Sequence, residues 1–308
     1  MTLGKFVNPS SLELISKSLK NDDKVLVTGA SGWVGKTTCY LLSELGVPFY
    51  PVATYGREIQ IGNRKLQIYS MDDHQIKYFS PSIFVDAAYL TREFSNEMPI
   101  SEYISKNREV TQKSIDLIRE NGISQYIGFS SGVTLTTSIE ENEPYSMVKR
   151  DFEKQIDSKM SELQTRYSVG RIWSISGGLV DKIDGFAFSD IVSQAIKGRI
   201  VLKSSKPVIR RYCLVDEMLA IAFANTEKNM KIFDTGGPLT EIHEFANMVS
   251  QIAGVNSIAN SEIDHFEIPD IYFSSNRDWK YLTGLYGLKV FAIEEQIDLV
   301  LRSLRARA

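Results

Sequence analysis

Ser131, Tyr145 and Lys149 have the types and spacing for proton transfer beside a hydride exchange. Ser131 ends the apolar run "YIGFSS"; fourteen residues on, Tyr145 opens "YSMVK", with Lys149 four positions later. On a helix, positions i and i+4 share one face. A lysine ammonium beside a phenol favours the phenolate and draws its pKa towards the working range. A serine hydroxyl from a neighbouring strand end can hold a substrate carbonyl or alcohol. The three together form a proton donor and acceptor for an alcohol whose carbon exchanges a hydride. Taken alone, Tyr-x-x-x-Lys is also an ordinary pair on a helix surface.

Such chemistry needs a hydride carrier. Residues 25–42, "VLVTGASGWVGKTTCYLL", carry Gly29, Gly32 and Gly35 between a β-branched run and a helical run. A residue without a Cβ lets backbone turn sharply and approach a bound pyrophosphate. The helix that starts there offers free N–H groups and a positive dipole end. The spacing is Gly-x-x-Gly-x-x-Gly, close to the dinucleotide fingerprint Gly-x-Gly-x-x-Gly. It is not a P-loop: Lys36 follows the third glycine, but residue 30 is Ala. The alternative is a glycine-rich turn with no ligand. At the end of the second strand, "ATYGR", no acid stands ready for an adenosine ribose. Arg57 there meets a 2′-phosphate or is a solvated loop cation; the first tilts the cofactor towards NADP(H).

The elements that must position these residues alternate. "KVLVTGA", "PFYPVATYG", "KLQIYSM", "SIFVDAAYL", "SQYIGFSS" and "YSVGRIWSISG" read as strands. Helical runs follow the first glycine motif, span Ser101 to Asn121, and begin near Pro144. This alternation predicts βαβ units and an α/β fold: a Rossmann-type doubly wound parallel sheet with ligands at the carboxyl ends of the strands. After about residue 178 the rhythm breaks into short mixed segments. The expected division is a dinucleotide-binding domain over 1–178, with 1–23 an N-terminal extension. A smaller C-terminal lobe over 179–308 binds substrate and is interleaved with late elements of the first.

Bulk properties exclude other classes. A formal net charge of −3 does not suggest a nucleic-acid partner. No apolar run reaches the roughly 20 residues of a membrane span, and the N-terminus lacks a secretory h-region. Cys39 and Cys213 read as reduced core thiols of a cytoplasmic protein. His74, His243 and His265 show no metal-ligand spacing.

The order of glycine motif, strand, Ser-Ser and Tyr-x-x-x-Lys resembles the extended short-chain dehydrogenase/reductases, the nucleotide-sugar epimerase/dehydratases. "VTGASGWVG" is similar to that family's Thr-Gly-x-x-Gly-x-x-Gly, "FVDAAYLT" to its fourth-strand segment, and "KPVIRRYCLVDEM" to its Arg-x-aromatic-x-x-Val-Asp segment. The resemblance implies that Gly29, Ser31, Gly32, Trp33, Val34, Gly35, Ala87, Ala88, Asn107, Ser130, Tyr145 and Lys149 line NAD(P). It implies that Ser131 orients substrate, with Ser130 as the fallback. Tyr145 is then the acid/base, and Lys149 tunes it and holds the nicotinamide ribose. Asn107, on the helical face of Ile104, Thr111 and Ile115, is either a satisfied core residue or part of a proton relay. Arg210 contacts a sugar-nucleotide diphosphate or forms a surface ion pair. Ser174 stands where the family's diphosphate motif Arg-x-x-Asn carries its Asn, which implies that it binds substrate. A homodimer through the helices near 101–121 and 145–163 is also implied.

Departures narrow the expectation. The family's 4,6-dehydratases carry Asp-Glu directly after the serine or threonine; Gly132 and Val133 stand here. Without those carboxylates water elimination is disfavoured. What remains is an epimerase or keto-sugar reductase/dehydrogenase acting on a nucleotide-linked sugar. The alternatives are a non-catalytic NAD(P)-sensing Rossmann protein and a reductase of a non-sugar carbonyl.

Overall fold

A computed structural model describes residues 5–61, 64–136, 143–225, 227, 230–255, 258–260 and 267–307, so His265 lies outside the described residues. In chain order come α1 (Pro9–Ser18), β1 (Val25–Thr28), α2 (Trp33–Leu45), β2 (Phe49–Ala53), β3 (Arg57–Ile61), β4 (Arg64–Ser70), α3 (Gln75–Phe79), β5 (Ile83–Asp86), α4 (Ile100–Asn121), β6 (Gln125–Ser131), α5 (Pro144–Glu162) and β7 (Arg166–Ile172). There follow β8 (Ser174–Ser176), α6 (Ala187–Ile196), β9 (Ile200–Leu202), β10 (Val208–Leu214), α7 (Val215–Ala224), β11 (Ile232–Asp234), β12 (Leu239–Glu241), α8 (Ile242–Ala253), β13 (Ile258–Asn260), β14 (Asp270–Tyr272), α9 (Arg277–Tyr286) and α10 (Ile293–Arg305). The chain forms two compact units, one of residues 15–172 and 222–233, the other of residues 1–14, 173–221 and 234–308.

The first unit holds a sheet of order β11-β7-β6-β5-β1-β2-β4-β3. Strands β7, β6, β5, β1, β2 and β4 are parallel, and β3 closes the edge antiparallel to β4. The central strands "VLVT" and "IFVD" are buried along their whole length, the signature of a parallel sheet covered on both faces. Leu26, Phe84, Tyr126 and Val169 of the sheet pack with Ile115 and Ile118 of α4 and Phe152, Ile156 and Met160 of α5. Each such side chain contributes roughly 1.5–3 kcal/mol on burial. The strand order reverses between β1 and β5, where ligands of open α/β sheets bind.

Three local readings change. The run 167–177 is not one strand. The chain leaves the sheet after Ile172, and β8 pairs with β10 in the other unit. Arg57 is not in a loop; it opens β3 opposite Ile68, because "REIQI" and "RKLQI" pair as antiparallel strands. Strand β5 stops at Asp86, and residues 87–90 leave the sheet.

In the second unit β10 is flanked by β12 and β14, with β8 also on β10, and β13 pairs with β9. Asn8 anchors the N-terminal residues: its N–H donates to Asp216 Oδ2 at 2.9 Å and its amide to Glu217 Oε1 at 2.9 Å and Lys289 O at 2.7 Å. Among the described residues no helix is long and apolar enough to cross a membrane, and no cluster of His, Cys, Asp or Glu could hold a metal ion.

Candidate active site

The glycine motif occupies the β1–α2 turn at the point of strand reversal. Gly29 has φ 60°, and a Cβ on it would lie 2.3 Å from Ala87 O. The loops after β1 and β5 therefore touch backbone to backbone, and only glycine permits it. A Cβ on Gly35 would meet Gly29 O at 2.2 Å, so the helix also sits directly on the turn. Gly32 differs. It N-caps α2 with no side chain accepting the helix's first N–H groups, and a Cβ there would meet only Gly29 O at 3.5 Å. Open backbone at a helix N-terminus suits a pyrophosphate. Ser31, Trp33 and Val34 lie on the same turn and first helical residues. Ser130 Oγ, at the end of β6, is buried without a hydrogen-bond partner. These features fit a dinucleotide.

Asp86 ties the carboxyl ends together. It accepts hydrogen bonds from Thr28 Oγ1 at 2.6 Å, Tyr126 OH at 2.9 Å and Ala88 N at 3.4 Å. Burial raises its pKa, partly offset by these donors. One residue further, Ala87 and Ala88 face the glycine turn. Asn107, buried on α4, donates to Tyr103 O at 3.1 Å and accepts from Leu90 N at 3.1 Å, while Tyr103 OH donates to Leu90 O at 2.9 Å. Asn107 is thus satisfied by protein, and it holds the segment that carries Ala87, Ala88 and Tyr89.

Ser131 ends β6, and its Oγ accepts from Val133 N at 3.4 Å. Helix α5 starts beside it because Pro144 fits the first turn and Glu143 caps it, accepting from Ser146 N at 2.6 Å. Ser146 Oγ donates to Val133 O at 3.3 Å and seats the helix against the turn after Ser131. Tyr145 and Lys149 follow on one face. Lys149 Nζ donates to Phe129 O at 3.0 Å and lies 5.9 Å from the Tyr145 ring centre. Burial pushes the Lys149 pKa down to about 7, against the upward pull of the Asp86 and Glu153 carboxylates. Arg92 also approaches the Tyr145 ring, 6.0 Å from its centre. One turn beyond Lys149, Glu153 receives both arms of Arg171, at 2.8 and 2.7 Å, and Thr134 Oγ1 at 3.2 Å.

One unit therefore gathers the glycine turn, Ala87, Ala88, Ser130, Ser131, Tyr145 and Lys149. Ser174 and Arg210 belong to the other, on adjacent strands β8 and β10. Arg210 donates to Asp270 Oδ2 at 2.9 Å and Asp270 O at 2.8 Å, an ion pair with its edge in solvent. Arg57 is exposed at the start of β3. Sequence spacing missed Tyr89, Glu153 and Arg171. Glu153 follows Lys149 by four residues, a helical signal that was available; Tyr89 has none.

No curated protein matches the chain. Solved structures do. A UDP-glucose 4-epimerase of Thermotoga maritima, with UDP-glucose, superposes with a TM-score of 0.72 at 16% identity, over 92% of this chain and 98% of that one. A UDP-glucose 4-epimerase of Thermus thermophilus, complexed with NAD, gives 0.68 at 18%, over 92% and 99%. TunA, an NAD-dependent NDP-hexosamine 5,6-dehydratase of tunicamycin biosynthesis, gives 0.70 at 14%, over 92% and 98%. At these identities the likeness is one of fold. Residues 25–233, from the first strand of the sheet to its last, match one family throughout: the chain belongs to the NAD-dependent epimerase/dehydratase family.

Proposed function

We propose that this chain exchanges a hydride at a sugar carbon of a nucleotide-linked sugar, as an epimerase or keto-sugar reductase. The observation that carries this is Lys149 held one helical turn beyond Tyr145 on α5, its ammonium bonded to Phe129 O of the strand that ends in Ser131, in the unit that also holds the open glycine turn. When bound, the nicotinamide supplies the hydride acceptor and donor. Gly32 and the first turn of α2 hold the pyrophosphate, and Ala87, Ala88 and Ser130 line the cofactor. Ser131 Oγ orients the substrate oxygen. Tyr145, as the phenolate, takes the alcohol proton as the carbon is oxidised and, as the phenol, returns it on reduction; the Lys149 ammonium stabilises the phenolate present before the first event and after the second. Gly132 and Val133 offer no carboxyl group for eliminating water, which favours hydride exchange over dehydration. Arg210 binds the diphosphate, exchanging Asp270 for it. Arg57, with no acid at the end of β2, favours a 2′-phosphate; replacing it with Ala should weaken NADP⁺ binding more than NAD⁺ binding.

The test starts from freshly purified protein. Nucleotide released on denaturation is identified by mass spectrometry, and stoichiometric NAD(H) or NADP(H) supports a retained cofactor and an epimerase cycle. Readily exchanged binding of added cofactor supports a reductase. No binding of either overturns the proposal. With UDP-glucose as first substrate, Tyr145→Phe should lower turnover about a hundredfold or more; near-parental turnover would remove Tyr145 from the mechanism.

A further inference from the structure

Lys149 is a cation in an awkward place. Its ammonium is buried; among the described residues it makes one neutral hydrogen bond, to Phe129 O at 3.0 Å, and no carboxylate stands within ion-pair distance of it. The groups that face it can be named by element: Asp86 from β5 and Glu153 from α5 act at a distance, and Glu153 is already engaged by Arg171. Tyr145 and Phe152 present rings at 5.9 and 5.3 Å. The nearest ring is neither of these. The Tyr89 ring centre lies 3.3 Å from Nζ, so the ammonium sits on the ring face. A cation on an aromatic face in a desolvated site is held by the ring quadrupole.

Tyr89 is itself fixed. Its neighbour Leu90 is bonded at both backbone groups, by Asn107 and Tyr103. Its ring meets Phe152 edge-on at 5.9 Å and 73°. Burial, with Tyr103, Tyr145, Asp151 and Asp86 nearby, raises the Tyr89 phenol pKa, so the ring stays neutral and electron-rich.

We propose that Tyr89 is a positioning residue whose ring face holds the Lys149 ammonium between the Phe129 carbonyl and the Tyr145 ring and keeps it charged there. This deepens the hydride-exchange proposal, since the charge on Lys149 is what tunes Tyr145. It also assigns Asn107 a purpose: it fixes the segment that carries the ring.

The test uses the full chain without cofactor or substrate, so it stands or falls separately from the proposed reaction. Lysine labelled with ¹³C at Cε is titrated by NMR, and Lys149 is assigned by its absence from Lys149→Met. Tyr89→Leu removes the ring, and the Lys149 pKa should fall by about one unit, the size of a desolvated cation–π contact. Tyr89→Phe keeps the ring face and should hold the pKa within a few tenths. A Tyr89→Leu value equal to or above the parental one overturns the proposal, as does an equal fall in Tyr89→Phe. Should the leucine variant not fold, the parental chain decides: the Lys149 Hε protons must resonate upfield of the other lysines through the ring current, and the shift must persist in Tyr89→Phe. Absence of that upfield shift also overturns it.

Discussion

At the residue scale the site is built on close approaches that tolerate one atom type only. Gly29 touches Ala87 through backbone, with φ 60° and no room for a Cβ. Gly29→Ala combines a left-handed conformation with a contact of 2.3 Å to a carbonyl oxygen. It should cost about 2–4 kcal/mol and lower the thermal midpoint by several degrees. An unchanged midpoint would mean that the turn relaxes freely, and that the two loops are not locked together. Gly32→Ala is the control, because its Cβ meets only one atom, at 3.5 Å. It should leave stability nearly intact and weaken NAD⁺ binding. The three glycines are equal in the sequence, and packing assigns them different tasks.

At the element scale α5 carries the chemistry, and its placement rests on polar pins as well as on Phe152 and Ile156. The Glu153–Arg171 pair joins α5 to β7 with two short bonds, both side chains largely buried. Removing one partner of such a pair leaves a stranded charge, at a cost of about 3–5 kcal/mol in buried sites. Glu153→Ala should therefore lose about 2–4 kcal/mol in urea unfolding, and Glu153→Ala with Arg171→Met should recover part of it. A double variant as unstable as the sum of the single losses would show that the two groups act independently. The α5 start is legible in advance, since Pro144 and Glu143 are a first-turn proline and a cap. The partner of Glu153 is not, because which β7 side chain faces Glu153 is decided only when α5 packs back onto the sheet.

At the scale of the whole chain, Asp216 and Glu217 bury two carboxyl groups beside Asn8. Burial, then the Asp216 carboxyl, push Glu217 up to about 8; burial pushes Asp216 up to about 6. The folded chain thus keeps a proton on Glu217 that the unfolded chain releases near 4.5. Folding binds that proton between the two values, so the contribution is full below about pH 4.5 and is lost as pH rises through about 8. Glu217→Gln stays neutral throughout. Relative to it, the parental chain should lose about 3–4 kcal/mol of unfolding free energy between pH 5 and pH 8. Parallel stability curves for the two chains would place the proton elsewhere.

Much of this is legible in the sequence alone. Strand and helix order follows from hydrophobic period and β-branching, local properties that a linear chain carries in full. The glycine motif, the serine at the end of β6 and the Tyr-Lys pair follow from spacing on single elements, and so does membership of the α/β class. Packing between distant segments had to decide the rest. The run after residue 166 looked like one strand, yet Ile172 and Ser174 pair in different sheets. The sequence puts Arg57 in the turn after the second strand, meeting a 2′-phosphate or solvent; "REIQI" instead finds a strand partner in "RKLQI". Asn107 donates to Tyr103 O and accepts from Leu90 N, partners that its place in the sequence does not name. Tyr89 gave no signal, because nothing in "DAAYL" tells that its ring will lie under a lysine sixty residues on. Period and spacing are written along the chain; desolvation and partner choice exist only once the chain has folded back on itself.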